Sequence, residues 1–286
     1  MNFVSTTKGK LYICPTPIGN LEDITIRVLN TLKNVDLIAA EDTRHTLKLL
    51  NHFGIQKPLT SYHEHNIRTK GIILINKLLE GKEIALVSDA GMPGISDPGS
   101  DIIKLCIEEE IPFEVLPGAT AGILALVGSG LDTTRFAFEG FLEKGKKERR
   151  QRLETIKKED RTLIFYEAPH RIMNTLEDMN RILGNRKGVI ARELTKIYEE
   201  FIRGNLTELI EHLKLNPPKG EIVLLCEGAD LEKLAMDEKD ELKQITIREH
   251  ILLFMKEGLD KKSAIKEVAK RRKIPRREVY KESIDL

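Results

Sequence analysis

At 286 residues, 41% apolar and 32% charged with a net charge of +1, the chain is long enough for two domains, or one large domain with an appendage, and apolar enough to bury real cores. No apolar run reaches the length of a membrane span and the leading MNFVSTTKGK lacks the apolar stretch of a signal peptide, so the expected location is the cytoplasm. Cys14, Cys106 and Cys226 are odd in number, far apart and each in an apolar segment, which reads as reduced core thiols; no CxxC, HxxxH or EF-hand spacing occurs, and no metal site is expected.

The first expected strand, 11–14, runs into PTPIGN at 15–20. That loop holds one glycine and matches neither GxGxxG nor GxxxxGK[ST], so it offers no dinucleotide or triphosphate cradle. A helical pattern over 24–32 follows, then a strand over 35–40, a helix over 43–53, a short apolar run over 59–62 and a helix over 67–79. Polar loops fall at two of these strand ends, EDTR at 41–44 and SYHEHN at 61–66. Residues 84–87 form the next strand and lead into VSDAGMPGISDPG at 87–99. Three glycines and two prolines in thirteen residues cannot continue either neighbour, so this is a shaped loop. Asp97-Pro98 reads as an N-cap followed by proline in the first helical turn, and a loop of this length inside a domain is usually functional. A strand over 113–116 then meets PGATA at 117–121, where Thr120 is placed to cap a helix reaching residue 127. Strand–helix alternation argues for a mostly parallel sheet covered on both faces, with these loops gathered at one edge.

A boundary is expected near 128–135, where Gly128, Gly130 and Asp132 cluster. Beyond it come a strand over 136–141, a basic helix to 158, a strand over 162–166, a helix over 171–183, a strand over 187–192, a helix over 206–213 and a strand over 221–226. The basic helix is part of an island in which eight Lys or Arg between Lys144 and Lys158 face only Glu148 and Glu154, a net +6. An acidic linker is expected over 231–241. A helix carrying Ile247, Ile251, Leu252, Phe254 and Met255 follows, then a second capped by Ser263 and a short third after Pro275. Between Lys261 and Lys281 ten basic residues face Glu267 and Glu278, a net +8, which leaves about −13 on the rest of the chain. Two basic islands on an acidic body point to a polyanionic partner, nucleic acid foremost, and the tail resembles a small helix-turn-helix module.

Eight ordered segments, CPTPIGNLEDIT, AAEDTRHT, SYHEHN, VSDAGMPGISDPG, LPGATA, FEGFL, FYEAPHR and ARELTK, with the ending RREVYKESIDL, carry a resemblance. From about residue 10 to 230 the chain resembles the bacterial 16S ribosomal RNA ribose 2′-O-methyltransferases that modify a cytidine of the decoding region, a family of the tetrapyrrole-methylase superfamily. The resemblance implies an α/β, two-domain tetrapyrrole-methylase-like fold with a small helical C-terminal appendage: 1–130, 131–230, and a linker with a basic RNA-binding tail over 231–286. It also implies S-adenosylmethionine as cofactor, bound between the domains and released as S-adenosylhomocysteine. The implied partners are a second copy of the chain and small-subunit ribosomal RNA in the assembled 30S subunit.

Carried onto this chain, the superfamily's Gly-Asp-Pro cofactor segment falls on Ser88-Asp89-Ala90, which keeps only the aspartate. The resemblance assigns cofactor contacts to Pro17, Asp89, Gly91, Met92, Gly94, Ile95, Thr120 and Ala121 in the first domain. In the second it assigns Tyr166, Ala191, Leu194, Gly220, Glu221 and Ile222, which would close the adenine side. A ribose hydroxyl is a weak acid, so a base or cation near its oxygen assists as the proton leaves. The candidates are His63, Glu64, Asp97, Glu41 and Asp42, with Arg44 and Arg171 as electrostatic helpers. Two other readings stay open: a methyltransferase of the same superfamily acting on a tetrapyrrole precursor or a protein, and a nucleic-acid-binding regulator whose α/β part is only structural. The basic islands weigh against the first, and the glycine-rich loop against the second.

Overall fold

The structure, a computed structural model, describes residues 8–236, 245–256, 258–284 and 286. It divides into two compact units, 1–228 and 229–286.

The first unit opens with five short strands, β1 (Leu11–Ile13), β2 (Leu37–Ala40), β3 (Leu59–Ser61), β4 (Ile84–Val87) and β5 (Phe113–Val115), all parallel in the order β3-β2-β4-β1-β5. Between them run α1 (Ile26–Asn34), α2 (Thr43–His52), α3 (Ile67–Leu79) and α4 (Ser100–Glu108). Alternation along β4 sorts the core: Ile84 and Leu86 pack with Leu74, Leu78 and Ile102, while Ala85 and Val87 pack with Val28, Leu32 and Leu50. The sheet is therefore buried on both faces, as parallel sheets are. The chain leaves β1 toward β2 and leaves β4 in the opposite direction toward β5, although β1 and β4 are neighbours. A crevice opens at the carboxyl ends of strands where connections diverge in this way, and it is the usual ligand site of such sheets.

One expectation about this sheet fails. Helix α4 starts at Ser100 with Gly99 in the N-cap position, so Asp97-Pro98 does not cap it. The backbones of Gly94 and Gly99 press together, and a Cβ on Gly99 (φ 152) would lie 2.9 Å from the Gly94 nitrogen. The turn is thus completed only after Pro98, and Asp97 stays in the loop.

The second sheet has the order β6-β7-β10-β8-β9, built from β6 (Phe136–Phe141), β7 (Thr162–Glu167), β8 (Lys187–Arg192), β9 (Glu200–Asn205) and β10 (Ile222–Cys226). β6 pairs parallel to β7, and the remaining pairs are antiparallel. Strand β9 escaped the sequence reading, because EFIRGN is a charged edge segment without an apolar run. One face is covered by α6 (Lys146–Thr155), α7 (Ile172–Leu183) and α8 (Leu206–Leu215), which set Leu153, Leu176, Met179 and Leu209 on Leu163, Phe165 and Leu224. The other face takes α5 (Ala121–Ser129), whose Ala125 and Leu126 pack on Ile164, Val189 and Val223. Helix α5 thus precedes the boundary expected at 128–135 yet packs on the sheet that follows it.

In the second unit, helices Ile247–Lys256, Lys261–Arg272 and Arg276–Lys281 share a core of Ile251, Phe254, Ala264, Ile265, Val268, Ala269 and Val279. The middle helix is capped by Asp260, whose side chain accepts from the Ser263 amide at 2.8 Å; Ser263 lies inside the helix and is not its cap. Residues 231–236 of the expected linker are helical, and 237–241 lie outside the described residues.

Candidate active site

The loop after β4 is pinned to the loop after β1. The Thr16 amide donates to the Gly91 carbonyl at 2.9 Å, the Gly91 amide returns a bond to the Thr16 carbonyl at 3.0 Å, and the Thr16 hydroxyl donates to the Ser88 carbonyl at 3.1 Å. Gly91 sits at φ 81, and a Cβ there would meet Ile18 Cγ2 at 3.3 Å, so the position is suited to glycine on both counts.

This loop, the start of α5, the end of β7 and the start of β10 enclose a cavity of about 330 Å³. The last two meet because β10 runs antiparallel to β7, pairing Ile222 with Glu167 and Val223 with Tyr166. Ten of the fourteen expected cofactor residues line it: Gly91, Met92, Ile95, Thr120, Ala121, Tyr166, Leu194, Gly220, Glu221 and Ile222. Thr120 stands at the N-cap of α5 but makes no capping bond, and the Tyr166 hydroxyl accepts from the Gly122 amide at 3.3 Å. Ala191 is fully buried in the core, and Gly94 supports the turn against Gly99. Pro17 and Asp89 line a separate groove with Thr46, Lys48 and His52 of α2. The sequence reading missed Ile18, Ala90, Ser96, Phe141, Glu167, Ala168, Pro169 and Val223. Most of these stand inside the segments that carry the resemblance, so the signal was regional and did not resolve single side chains.

The candidate acids and bases separate. Asp97 lines the cavity; burial, then the neighbouring carboxylates of Glu41 and Asp89, push its pKa up to about 6, partly offset by a bond to Ser88. Glu41 is also raised, by burial first and then by Asp89, and the nearby His63 works in the opposite direction. His63 has one ring nitrogen 3.1 Å from the Asn66 amide nitrogen and the other buried without a partner. Asp42 is the N-cap of α2: its carboxylate is paired with Arg44 at 2.7 Å, and its own amide donates to Asp89 at 3.1 Å. Arg44 points into solvent, and Glu64 is exposed and pairs with His65 at 3.3 Å. Arg171 braces the β6–α6 connection, donating to the Leu142 carbonyl at 2.5 Å and pairing with Glu167 at 3.3 Å. Three carboxylates, Glu41, Asp89 and Asp97, therefore lie within each other's field, and of the seven candidates Asp97 alone lines the cavity. Among the described residues no group of three or more His, Cys, Asp or Glu is placed to hold a metal ion, and no helix is long and apolar enough to cross a membrane.

Residues 10–210 match the family of Tetrapyrrole (Corrin/Porphyrin) Methylases. Over 275 residues the chain is 52% identical to the Ribosomal RNA small subunit methyltransferase I of Halalkalibacterium halodurans, covering 96% of this chain and 94% of that one. It is 49% identical over 273 residues to the Bacillus subtilis protein of the same name, covering 95% and 93%. The chain belongs to the ribosomal RNA small subunit methyltransferase I family. Its fold is shared with uroporphyrin-III C-methyl transferase from Thermus thermophilus, solved in complex with S-adenyl homocysteine, at a TM-score of 0.55 and 18% identity over 76% of this chain and 97% of that one. This methyltransferase uses S-adenosylmethionine, and its cavity fits that donor. The volume falls within the roughly 300–1,000 Å³ of small-molecule sites. Ile18, Met92, Leu194 and Val223 give apolar walls for a nucleoside, and the Asp97 carboxylate suits a cationic sulfonium.

Proposed function

We propose that this methyltransferase modifies the ribose 2′-hydroxyl of a cytidine in the decoding region of 16S ribosomal RNA, within the assembled 30S subunit, with Asp97 as general base. The observation that carries the chemistry is that Asp97 is the candidate base facing the donor cavity. The name of the relatives supports the choice of small-subunit RNA.

The donor, when bound, supplies an electrophilic methyl group. The chain's part is to aim the hydroxyl and take its proton. Asp97 Oδ accepts that proton as the oxygen forms its new bond, and burial, then the fields of Glu41 and Asp89, make Asp97 a better acceptor than a solvated carboxylate. The pinned loop holds the cavity wall in one place, so orientation is set before the reactants meet.

Two further parts belong to this reading. The edge strand β5 exposes Phe113 and Val115 and helix α5 exposes Ile123 and Val127, apolar side chains that a second copy of the chain would cover in a cytoplasmic homodimer. The C-terminal unit supplies cations for RNA phosphate.

The reading is tested by mapping the methyl group on small subunits by mass spectrometry and by replacing Asp97. Asp97→Asn should slow single-turnover transfer at saturating donor about 100- to 10,000-fold, whereas losing the charge beside the sulfonium should weaken donor binding by a much smaller factor. In the wild type, kcat/KM should fall tenfold per pH unit below about 6, where the carboxyl takes up a proton. Because the folded-state pKa is raised, the ionised form weakens the fold, and stability declines as pH climbs from about 4 to about 6. Asp97→Asn should therefore stabilise the protein above pH 6, on the order of 1 kcal/mol after screening, and not below pH 4. A product lacking a ribose methyl, or an acid limb unmoved by Asp97→Asn, would remove the assignment.

A further inference from the structure

Strand β6 does not run as a regular strand. Its register against β7 slips between Phe138, opposite Ile164, and Gly140, opposite Phe165, so that Glu139 is an extra residue. Residues three apart in a regular strand point to opposite faces. The extra residue puts Phe138 and Phe141 on one face, and both rings meet the Tyr166 ring edge-on, with centroids 5.0 and 5.6 Å away. Gly140, at φ 66, supplies the left-handed backbone that this turn of the strand needs. Bulges of this kind re-aim side chains beside active sites.

The two rings then have different surroundings. Phe138 packs beside Gly122 at the start of α5, whereas Phe141 lines the donor cavity and remains 55% exposed. Ser96 and Asp97 line the same cavity. One space therefore holds the proposed proton acceptor, the walls for the donor and a half-exposed aromatic ring whose orientation is fixed by Tyr166. RNA-binding proteins use such rings to hold single, unstacked bases, because every base has a face that stacks and little sequence information is needed.

We propose that Phe141 is the stacking platform for the base of the target nucleotide, positioning it so that its ribose hydroxyl reaches Asp97. This rests on the RNA-methylation reading above, and the β6 bulge is the device that brings the ring there.

The test uses the full-length protein, small ribosomal subunits lacking the methyl group as substrate, and S-adenosylhomocysteine as the probe of the donor cavity. Phe141→Ala, a change at a half-exposed position, should raise KM for subunits roughly 5- to 100-fold, the range of one lost base–aromatic stack, while kcat falls far less. Its affinity for S-adenosylhomocysteine, measured by calorimetry, should fall by a smaller factor than KM rises, because the ring is one part of a cavity whose other walls remain. Phe141→Trp should retain wild-type KM, and Phe141→Leu should behave like Phe141→Ala, since leucine keeps apolar bulk but has no stacking face. Wild-type KM in Phe141→Leu would reduce the residue to packing. Weakened S-adenosylhomocysteine binding with unchanged KM would assign the ring to the donor and overturn the proposal. A wild-type enzyme that transfers no methyl group to subunit RNA would take the underlying reading down as well, whereas an unaffected Phe141→Ala on an active wild type removes only the stacking role.

Discussion

The two basic islands look alike in sequence and differ in structure. In α6, Arg149 and Arg150 both hold Asp178 of α7 at 2.6 Å, with the Arg149 and Asp178 side chains 7% and 5% exposed, and Arg152 holds Glu139 of β6 at 2.5 Å. The arginines of that island fasten one helix to its neighbours. Burial alone would raise the pKa of Asp178, but the bonds from Arg150 and Arg149 outweigh it and hold the carboxyl below its ordinary value. In the C-terminal unit, Arg271 lies over the Phe254 ring and pairs with Glu267, and Arg272 donates to the carbonyls of Ile245 and Thr246. Lys262, Lys266, Lys270, Lys273, Arg276, Arg277 and Lys281 are exposed around them. The arginines of a basic run are thus taken out of the surface where the fold brings carboxylates to meet them, while Lys144, Lys146 and Lys147 of the first island stay exposed. The acids that meet α6 come from residues 13 and 29 positions away in sequence, which composition does not reveal.

The largest expected effect breaks the buried side of this comparison. Asp178→Ala should destabilise the first unit by about 3–5 kcal/mol in denaturant titration, because it strands buried guanidinium charge. A loss under about 1 kcal/mol would put α6 in the class of ordinary surface pairs. Next, replacing Lys262, Lys266, Lys270 and Arg276 together by Gln should flatten the slope of log K against log salt for RNA binding by about 3, at 0.7 to 0.9 per phosphate contact. The matching change of Lys144, Lys146 and Lys147, which are exposed as well, separates the islands: a slope flattened by about 2 would mean that the first island also contacts RNA, and an unmoved slope that the tail alone does. Deleting 229–286 should weaken RNA binding yet leave S-adenosylhomocysteine affinity as it is, since the cavity is built within the first unit. Arg152→Gln should cost less than Asp178→Ala, because that arginine is half in solvent and its loss leaves one buried carboxylate, Glu139, to reach water or take up a proton.

Much of the site was legible beforehand because loops announce themselves. The glycines and prolines of 87–99 rule out regular structure, and strand–helix alternation places such a loop at the ligand edge of the sheet. Asp97 shows where that reasoning stops. Followed by proline and preceded by a loop, it has the local pattern of a helix cap, and only the contact between Gly94 and Gly99 delays the helix and leaves the carboxyl to the cavity. Strand β9 was missed, and the sheet that helix α5 covers was not legible, for a related reason. A charged edge strand has no period to detect, and an apolar helix carries no mark of which sheet it will cover.

What the sequence determined by itself is whatever depends on near neighbours: most strands and helices, the turn-forming glycines, the buried cysteines, and the ordered segments that place the chain in its family. The tertiary structure decided which carboxylate faces the donor, which arginines are consumed by ion pairs, and which phenylalanine reaches the cavity through a one-residue bulge. Each of these is set by a distance between groups far apart in the chain. Burial and Coulomb interactions respond to that distance, and local sequence pattern does not encode it.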